Sequence, residues 1–144
     1  MKLFTALNKE VSNLSVLFTK LHHFHWYVKG KQFYQLHELF ESLYDEMNER
    51  YDEFAERLLM IGGKPLSTQK AYLETASIKE ATDQTLSDKE MINHVILDLV
   101  EIKKGLTEII ALAEDLNDDV TADLAIGTIA SFDKHVWMLK SVIA

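Results

Sequence analysis

The sequence predicts an all-α protein, a four-helix bundle with one long connection in its middle. Apolar residues recur at steps of three and four in four long segments, which is typical of a buried helix face. No segment alternates apolar and polar residues as a half-buried strand would. The 144 residues are 47% hydrophobic and include a single proline, which suits one domain over residues 1–144 with a core of its own.

Composition and charge exclude several classes of protein. The chain has no cysteine, which rules out disulfides, zinc–thiolate sites and iron–sulfur clusters. It has neither a signal segment nor an apolar run long enough to span a membrane, so we expect a cytoplasmic protein without a membrane partner. The net charge of −8, with 15 scattered Lys and Arg residues, disfavours nucleic acid and suits a protein that attracts cations.

The first helix is predicted from about Leu3 to Val28. His25 fills one position of its apolar stripe, so this histidine is expected on the buried face. Lys29-Gly30-Lys31 should end the helix, because glycine suits the left-handed C-terminal position. The other members of the stripe are Leu7, Val11, Leu14, Phe18, Leu21 and Val28.

The second helix is predicted over about 34–61, and Gly62-Gly63-Lys64-Pro65 stops it. A long connection follows over about 65–87, with a short helix near Gln69–Ala76. The core positions of the second helix are Leu36, Phe40, Leu43, Met47, Phe54, Leu58 and Ile61.

The third helix should open at Ser87-Asp-Lys-Glu90, which has the spacing of a capping box. Asn117-Asp118-Asp119 breaks it, and the fourth helix is predicted over about 120–143. Four long helices with one long crossover after the second describe a bundle of the ferritin type. The apolar face of the third helix comprises Ile92, Val95, Ile96, Leu99, Ile102, Leu106, Ile109 and Leu116.

The second helix also carries a polar stripe rich in metal-binding residue types. Its members follow steps of four, four, three, four and four, which places them within roughly 100° of one helix face. One interpretation is a solvated acidic face. However, such faces usually alternate carboxylates with Lys or Arg, and this stripe has no basic residue except one histidine. The members are His37, Glu41, Asp45, Asn48, Asp52 and Glu56.

His37 and Asp52 cannot share a metal ion within one helix. The 15 residues between them rise roughly 22 Å, whereas a metal ion reaches its ligands at about 2 Å. Either they serve different purposes or a second chain brings them together. An intrachain di-iron site with Glu-x-x-His is absent, since no histidine has glutamate three residues before it.

The steps of the stripe are palindromic about a point between positions 46 and 47. Two antiparallel copies would place His37 opposite Glu56 and Glu41 opposite Asp52, as a twofold dimer requires. His25, on the adjacent helix, could complete each cluster. Such a set of imidazoles and carboxylates suits iron(II), manganese or zinc. Any regular stripe has some symmetry, so the palindrome alone does not decide between the interpretations.

Several segments together resemble the Dps family of mini-ferritins, also described as DNA-binding proteins from starved cells. The resemblance covers nearly the whole chain and is to members that lack a basic DNA-binding tail. It is most specific in the histidine spacing combined with Asp-x-x-x-Glu. The segments are Phe24-His-Trp-Tyr-Val-Lys-Gly30, Leu36-His-Glu38, Asp52-Glu-Phe-Ala-Glu-Arg57, Gly62-Gly-Lys-Pro65 and Asp133-Lys-His-Val-Trp-Met138.

The resemblance implies a hollow homo-dodecamer built from twofold dimers, with a ferroxidase centre at each dimer interface. It implies that His25 and His37 come from one subunit, and Asp52 and Glu56 from its neighbour. Glu41 stands four residues after the second histidine, where the family commonly has aspartate. The longer side chain could still reach the metal.

The activity implied by the resemblance is oxidation of iron(II), preferably by hydrogen peroxide, with storage of ferric mineral in the cavity and protection against oxidative damage. Iron would be the bound metal, two ions in each centre, with zinc or manganese as competitors. Trp26 matches the tryptophan beside the family's centre. It would either pack at the interface or intercept oxidising equivalents.

Asp118, Asp119 and Asp123 surround the start of the fourth helix. They either cap it and complement its dipole, or line an iron-entry pore on a threefold axis, as the resemblance implies. Among the remaining candidates, Met60 and Met138 are expected in the core, and His94 and His135 are assigned no chemistry.

Two other functions compete with an iron-storing ferroxidase. A DNA-condensing Dps protein is the main alternative, but family members that condense DNA often carry a basic tail, and here helical periodicity begins at about Leu3. The other is a structural bundle whose stripe only mediates dimerisation. Iron(II) titration would discriminate the structural bundle from the enzyme.

Overall fold

The chain folds into five helices and no strand. The computed structural model describes residues 1–144, and its helices are α1 (Lys2–Tyr27), α2 (Phe33–Met60), α3 (Gln69–Thr75), α4 (Asp88–Asp115) and α5 (Asp119–Val142). The predicted all-α bundle is confirmed, including the short helix within the long connection.

Helix α1 lies at the centre of the packing. It contacts α2, α4 and the short α3, while α4 packs along α5. The buried apolar side chains form one continuous cluster, so the four long helices share a single core. Its largest fully buried members are Phe24, Phe40, Phe54 and Phe132.

The expected burial of two methionines is wrong in the single chain. Met60 is 69% exposed and Met138 is 43% exposed. Met60 is the last residue of α2, so its side chain lies at the end of the core. Met138 precedes the buried Leu139 and is therefore turned about 100° from it around the helix.

The predicted helix ends are also found. Ser87 Oγ accepts a hydrogen bond from the Glu90 backbone N–H at 3.1 Å, and Glu90 Oε2 accepts one from the Ser87 backbone N–H at 2.8 Å, which completes the capping box. Gly30 and Gly62 follow α1 and α2 with φ of 113° and 93°. Glycine is suited to these positions because it has no Cβ to clash.

Polar side chains of α1 hold the long connection against the bundle. Asn13 Oδ1 accepts hydrogen bonds from the backbone N–H groups of Ser77 and Ile78, at 2.8 and 3.2 Å. Lys20 Nζ donates to the Lys79 carbonyl at 2.8 Å. These bonds satisfy backbone groups of a segment without regular structure, which fixes its course.

Glu10 is a carboxyl group buried between α1 and α4. Asn13 donates to its Oε1 at 2.9 Å, while its Oε2 has no hydrogen-bond partner. Burial raises the pKa of Glu10 to about 7, although the Asn13 hydrogen bond and the charge of Lys9 act against this rise. The absent side chain of Gly105 leaves room for the carboxyl group, because a Cβ there would overlap it.

None of the five helices combines the length and the apolar composition needed to cross a membrane.

Candidate metal centre

His25 and His37 lie face to face near the connected ends of α1 and α2. Their rings stack with centroids 3.6 Å apart and an interplanar angle of 12°. His25 Nδ1 lies 2.6 Å from the His37 carbonyl oxygen, and His37 Nδ1 lies 2.7 Å from the His25 carbonyl oxygen. Each residue therefore orients the ring of the other.

These two hydrogen bonds determine which ring nitrogen carries the proton. A carbonyl oxygen only accepts, so Nδ1 of each neutral ring must be the donor. The lone pair on each Nε2 is then free to bind a metal ion. Metal-binding histidines are commonly oriented in this way by a partner on the other nitrogen. The predicted pair His25 and His37 thus forms two oriented nitrogen ligands.

Glu41 is the carboxylate brought nearest to this pair. Its Oε1 lies 3.9 Å from His25 Nε2 and accepts a hydrogen bond from the Tyr44 hydroxyl at 3.4 Å. Burial and the negative charges of Glu41 and Asp45 raise the pKa of Tyr44, so its hydroxyl stays protonated and able to donate. Tyr44 was not singled out by the sequence analysis, although it lies seven residues after His37, at the same place in the helical repeat.

Aromatic rings also pack against the histidine pair. Phe33 stacks on His37 with ring centroids 5.0 Å apart, and Tyr44 meets His25 edge-on at 5.4 Å. His22 stacks on Tyr44 at 3.7 Å and contacts Trp26 at 5.5 Å. Trp26 follows His25 in the chain but is 66% exposed, and its ring contacts His22 instead of the rings of the pair.

Asp52 and Glu56 lie on the same exposed face of α2 but far from the histidine pair. The 15 residues from His37 to Asp52 rise roughly 22 Å along an unbroken helix. No three His, Asp or Glu side chains converge to hold a metal ion within the single chain. The structure therefore stacks His25 on His37 and places the Glu41 carboxylate 3.9 Å from His25 Nε2, without forming a three-ligand site. It leaves the other two predicted ligands exposed at a distance.

The donor atoms fit a divalent transition metal. Two imidazole nitrogens with carboxylate oxygens form a set of intermediate hardness, suited to iron(II), manganese or zinc. His25 is only 7% exposed, whereas the stripe carboxylates face outward. One side of the centre is thus rigid and partly desolvated, and the other is open to solvent or to a second protein surface.

Asp118 serves as the N-cap of α5. Its Oδ1 accepts from the Thr121 backbone N–H at 3.1 Å and from Arg57 at 3.0 Å. Burial alone would raise the pKa of Asp118, but its hydrogen bonds with Thr121 and the nearby Arg57 hold it below the usual range. Asp119 and Asp123 instead line a shallow depression together with Glu114, so a role for them in iron entry stays a prediction.

A polar cluster between α2 and α5 was missed by the sequence analysis. Glu46 accepts hydrogen bonds from His135 Nε2 at 2.9 Å and from Ser131 Oγ at 2.8 Å. Burial alone would raise the pKa of Glu46, but these two bonds and the charge of Arg50 lower it to about 2. No local pattern predicts this contact, because Glu46 and His135 are 89 residues apart.

Comparison with known proteins agrees with the fold. A family model for the ferritin-like domain matches residues 4–144. The DNA protection during starvation protein 2 of Bacillus anthracis is 48% identical over 142 residues, covering 96% of this chain and 94% of its own length.

Two solved structures extend the likeness to three dimensions. A Dps protein from Bacillus brevis superimposes with a TM-score of 0.96 at 44% identity, covering 99% of this chain and 95% of the other. A Dps protein of Vibrio cholerae O1 gives a TM-score of 0.95 at 31% identity, with coverages of 99% and 89%. The latter is described as a member of a broad superfamily of ferritin-like diiron-carboxylate proteins.

Proposed function

Because this chain belongs to the Dps family of ferritin-like proteins, we propose that it is a ferroxidase that oxidises iron(II) and stores the product as ferric mineral. The iron chemistry follows from the diiron-carboxylate character of the superfamily. The preference for hydrogen peroxide and the protection against oxidative damage are further parts of the proposal.

The observation that carries this proposal is the reciprocal hydrogen bonding of His25 and His37 beside Glu41. Both Nδ1 atoms donate to backbone carbonyls, so both Nε2 atoms keep a lone pair with which to bind a metal ion. A histidine pair that served only packing would not need both rings held in the same tautomer. Because the two rings are already held in place, less side-chain conformational entropy is lost when a metal ion binds.

Hydrogen peroxide suits a centre that holds two iron(II) ions. Each ion gives one electron, and peroxide takes both electrons with two protons to form two water molecules. No single electron is then passed to peroxide, which is the step that would release hydroxyl radical. Carboxylates compensate the added positive charge as the two ions are oxidised.

We propose that each centre is shared by two chains, within a homo-dodecamer built from twofold dimers. His25, His37 and Glu41 of one chain would face Asp52 and Glu56 of the second. This arrangement would cover the exposed carboxylates of α2 and complete a ligand set that one chain lacks. Zinc or manganese would compete for the same donors.

Complementation between two inactive variants tests the shared centre. His25→Ala and Asp52→Ala are each expected to abolish most peroxide-driven oxidation of iron(II), followed by absorbance. When the two variants are co-expressed, every mixed dimer should contain one intact centre and one with both defects. Random pairing then restores about a quarter of the wild-type rate.

Two outcomes would contradict the proposal. Unchanged rates in both single variants would remove the assigned residues from the reaction. If both single variants are inactive and verified mixed assemblies recover no oxidation activity, both residues belong to a centre within one chain. Size-exclusion chromatography of each variant is the control for intact assembly, and Ser42→Ala, at an exposed α2 position beside Glu41, is the control for substitution on that helix.

A further inference from the structure

The outward face of α2 follows a seven-residue repeat. Eight of its positions are separated by alternating steps of four and three, which is the spacing of a coiled-coil seam. Helix α2 contains neither glycine nor proline, so the repeat runs without a break from Phe33 to Met60. The eight residues are Tyr34, Glu38, Glu41, Asp45, Asn48, Asp52, Ala55 and Leu59, called here the α2 seam.

The chemistry of the α2 seam differs between its middle and its ends. Its middle holds carboxylates and one asparagine, with no Lys or Arg to balance them. Each end carries one large apolar side chain that the single chain leaves exposed: Tyr34 is 76% exposed and Leu59 is 60% exposed. Single exposed apolar side chains are common on protein surfaces; what distinguishes these two is their position at the two ends of one acidic seam.

The apolar ends are symmetric with respect to the rest of the seam. Tyr34 and Leu59 lie equally far from the point between positions 46 and 47, which also relates Glu41 to Asp52. In an antiparallel pair of α2 helices centred there, Tyr34 of each copy would face Leu59 of the other. Asp45 would face Asn48, where an amide can donate to a carboxylate.

We propose that Tyr34 and Leu59 form an apolar clasp at both ends of an antiparallel α2–α2 contact between two copies of this chain. The clasp holds the two acidic faces in one register and closes the ends of the proposed metal centres against water. The metal-related part rests on the function proposed above, whereas the pairing itself does not require iron.

The charge of the seam is the reason that a clasp is needed. Two facing copies bring together four carboxylates from each, namely Glu38, Glu41, Asp45 and Asp52. Before metal binds, these groups repel one another, so the middle of the seam cannot hold the copies together. Burial of the two apolar pairs supplies an attraction independent of the metal.

The clasp also selects one register. A shift by one seven-residue repeat would place Tyr34 against Asp52, or Leu59 against Glu41, and would bury a carboxylate against a large apolar side chain, whereas the favoured register sets only the small Ala55 against a carboxylate, that of Glu38. Only the register centred between positions 46 and 47 pairs apolar with apolar at both ends. The pairing of Asp45 with Asn48 also belongs to this register alone and places an amide donor opposite a carboxylate.

Engineered disulfides test the register directly, since the natural chain has no cysteine. The variant Tyr34→Cys/Leu59→Cys should form covalent dimers when oxidised with glutathione disulfide. A bond within one chain is excluded, because the 25 residues between the positions rise roughly 37 Å and a disulfide spans at most about 7 Å between Cα atoms. Glu38→Cys/Ala55→Cys should cross-link as well.

Three controls define the outcomes of that experiment. Tyr34→Cys alone, Leu59→Cys alone and the register-shifted Tyr34→Cys/Asp52→Cys should remain monomeric on a non-reducing gel. Cross-linking of the shifted pair in place of Tyr34→Cys/Leu59→Cys would overturn the proposal, and so would the absence of cross-links in both predicted pairs. Reduced samples of each variant are checked for helical content and assembly.

A second measurement separates the clasp from the iron chemistry. Leu59→Asp is expected to raise the protein concentration at which dimers dissociate, measured in chelator, by about tenfold or more, while Leu59→Met should leave it near the wild-type value. The proposed clasp would be overturned if Leu59→Asp dimers dissociated at the same protein concentration as wild-type dimers. Cross-linked dimers that fail to oxidise iron would overturn the proposed function and leave the clasp standing.

Discussion

At the scale of single residues, the histidine pair illustrates how the backbone can prepare a side chain for chemistry. His25 belongs to the apolar stripe of α1, and the sequence predicts its burial correctly. What orients it is the carbonyl oxygen of His37, which no residue pattern reveals. The contact depends on the rotation of α1 relative to α2, and a hydrophobic period gives only the face of each helix separately.

Glu41 is the residue whose substitution best tests the first half of the proposed centre. Glu41→Gln keeps the shape but removes the charge, so we expect it to lower the initial rate of iron(II) oxidation by about tenfold or more. Glu41→Asp keeps the carboxylate that the family commonly has and should stay within a few-fold of wild type. Equal rates for both variants would remove Glu41 from the centre.

Glu10 provides a prediction about stability and pH. Burial raises its pKa from the usual 4.5 to about 7, so the folded chain binds this proton more tightly than the unfolded chain. The stabilisation by the protonated group is fully present below about pH 4.5 and is lost as the pH rises through about 7. Glu10→Gln cannot ionise and should exceed the wild type in stability at pH 8 by on the order of 2 to 3 kcal/mol.

Denaturant unfolding at pH 5 and pH 8 measures the effect of Glu10→Gln against the wild type. Glu114→Gln, which removes an exposed carboxylate from α4, is the matched control and should follow the wild type at both pH values. If the unfolding free energies of Glu10→Gln and the wild type changed equally with pH, ionisation of Glu10 would not destabilise the folded chain.

At the scale of elements, helix α2 has three faces that make different contacts. Its apolar face enters the core, its seam faces outward, and Glu46 and Arg57 reach α5. The sequence predicts the first two faces because each repeats along the helix. The α5 contacts were missed since they consist of isolated pairs that join residues more than 60 positions apart.

The role of Asp118 as the N-cap of α5 can be tested separately from any role in iron entry. Asp118→Ala removes the N-cap and the Arg57 ion pair, so we expect a loss of about 1 to 2 kcal/mol in unfolding free energy. Because the pKa of Asp118 is lowered, its contribution is present above pH 4 and is lost as the pH falls below that range. Thermal unfolding at pH 7 measures the difference.

Asp119→Ala is the matched control for this substitution, since Asp119 lies in the first turn of α5 but does not act as the cap. It should retain most of the wild-type stability. A loss in Asp119→Ala equal to that in Asp118→Ala would contradict the assignment of the cap to Asp118.

At the scale of the whole molecule, net charge favours iron storage over DNA condensation. The chain carries −8, and DNA binding depends on Lys and Arg residues that neutralise phosphates. We therefore expect no mobility shift of duplex DNA at neutral pH and moderate salt, even though relatives are named for DNA protection. Tight binding under these conditions would reverse that part of the proposal.

The helices of the fold were predictable and the candidate metal centre only in part, for one physical reason. Helix faces and caps are local properties, so the periodic stripes and the box at Ser87 predicted the bundle. A centre formed between elements, and still more between chains, depends on relative orientation. The sequence supplied the residue types His25, His37 and Glu41, while their contacts with one another and with Tyr44 required the structure.

The symmetry of the α2 seam has a consequence for the effect of each mutation on the proposed dimer. In the proposed pair, each seam residue of one copy faces the residue of the other copy for which the two residue numbers add up to 93. One mutation in the gene therefore alters two places in each dimer. Glu41, longer than the aspartate common in the family, would face Asp52 in both places. A single substitution at Glu41 would therefore alter both proposed centres of a dimer at once.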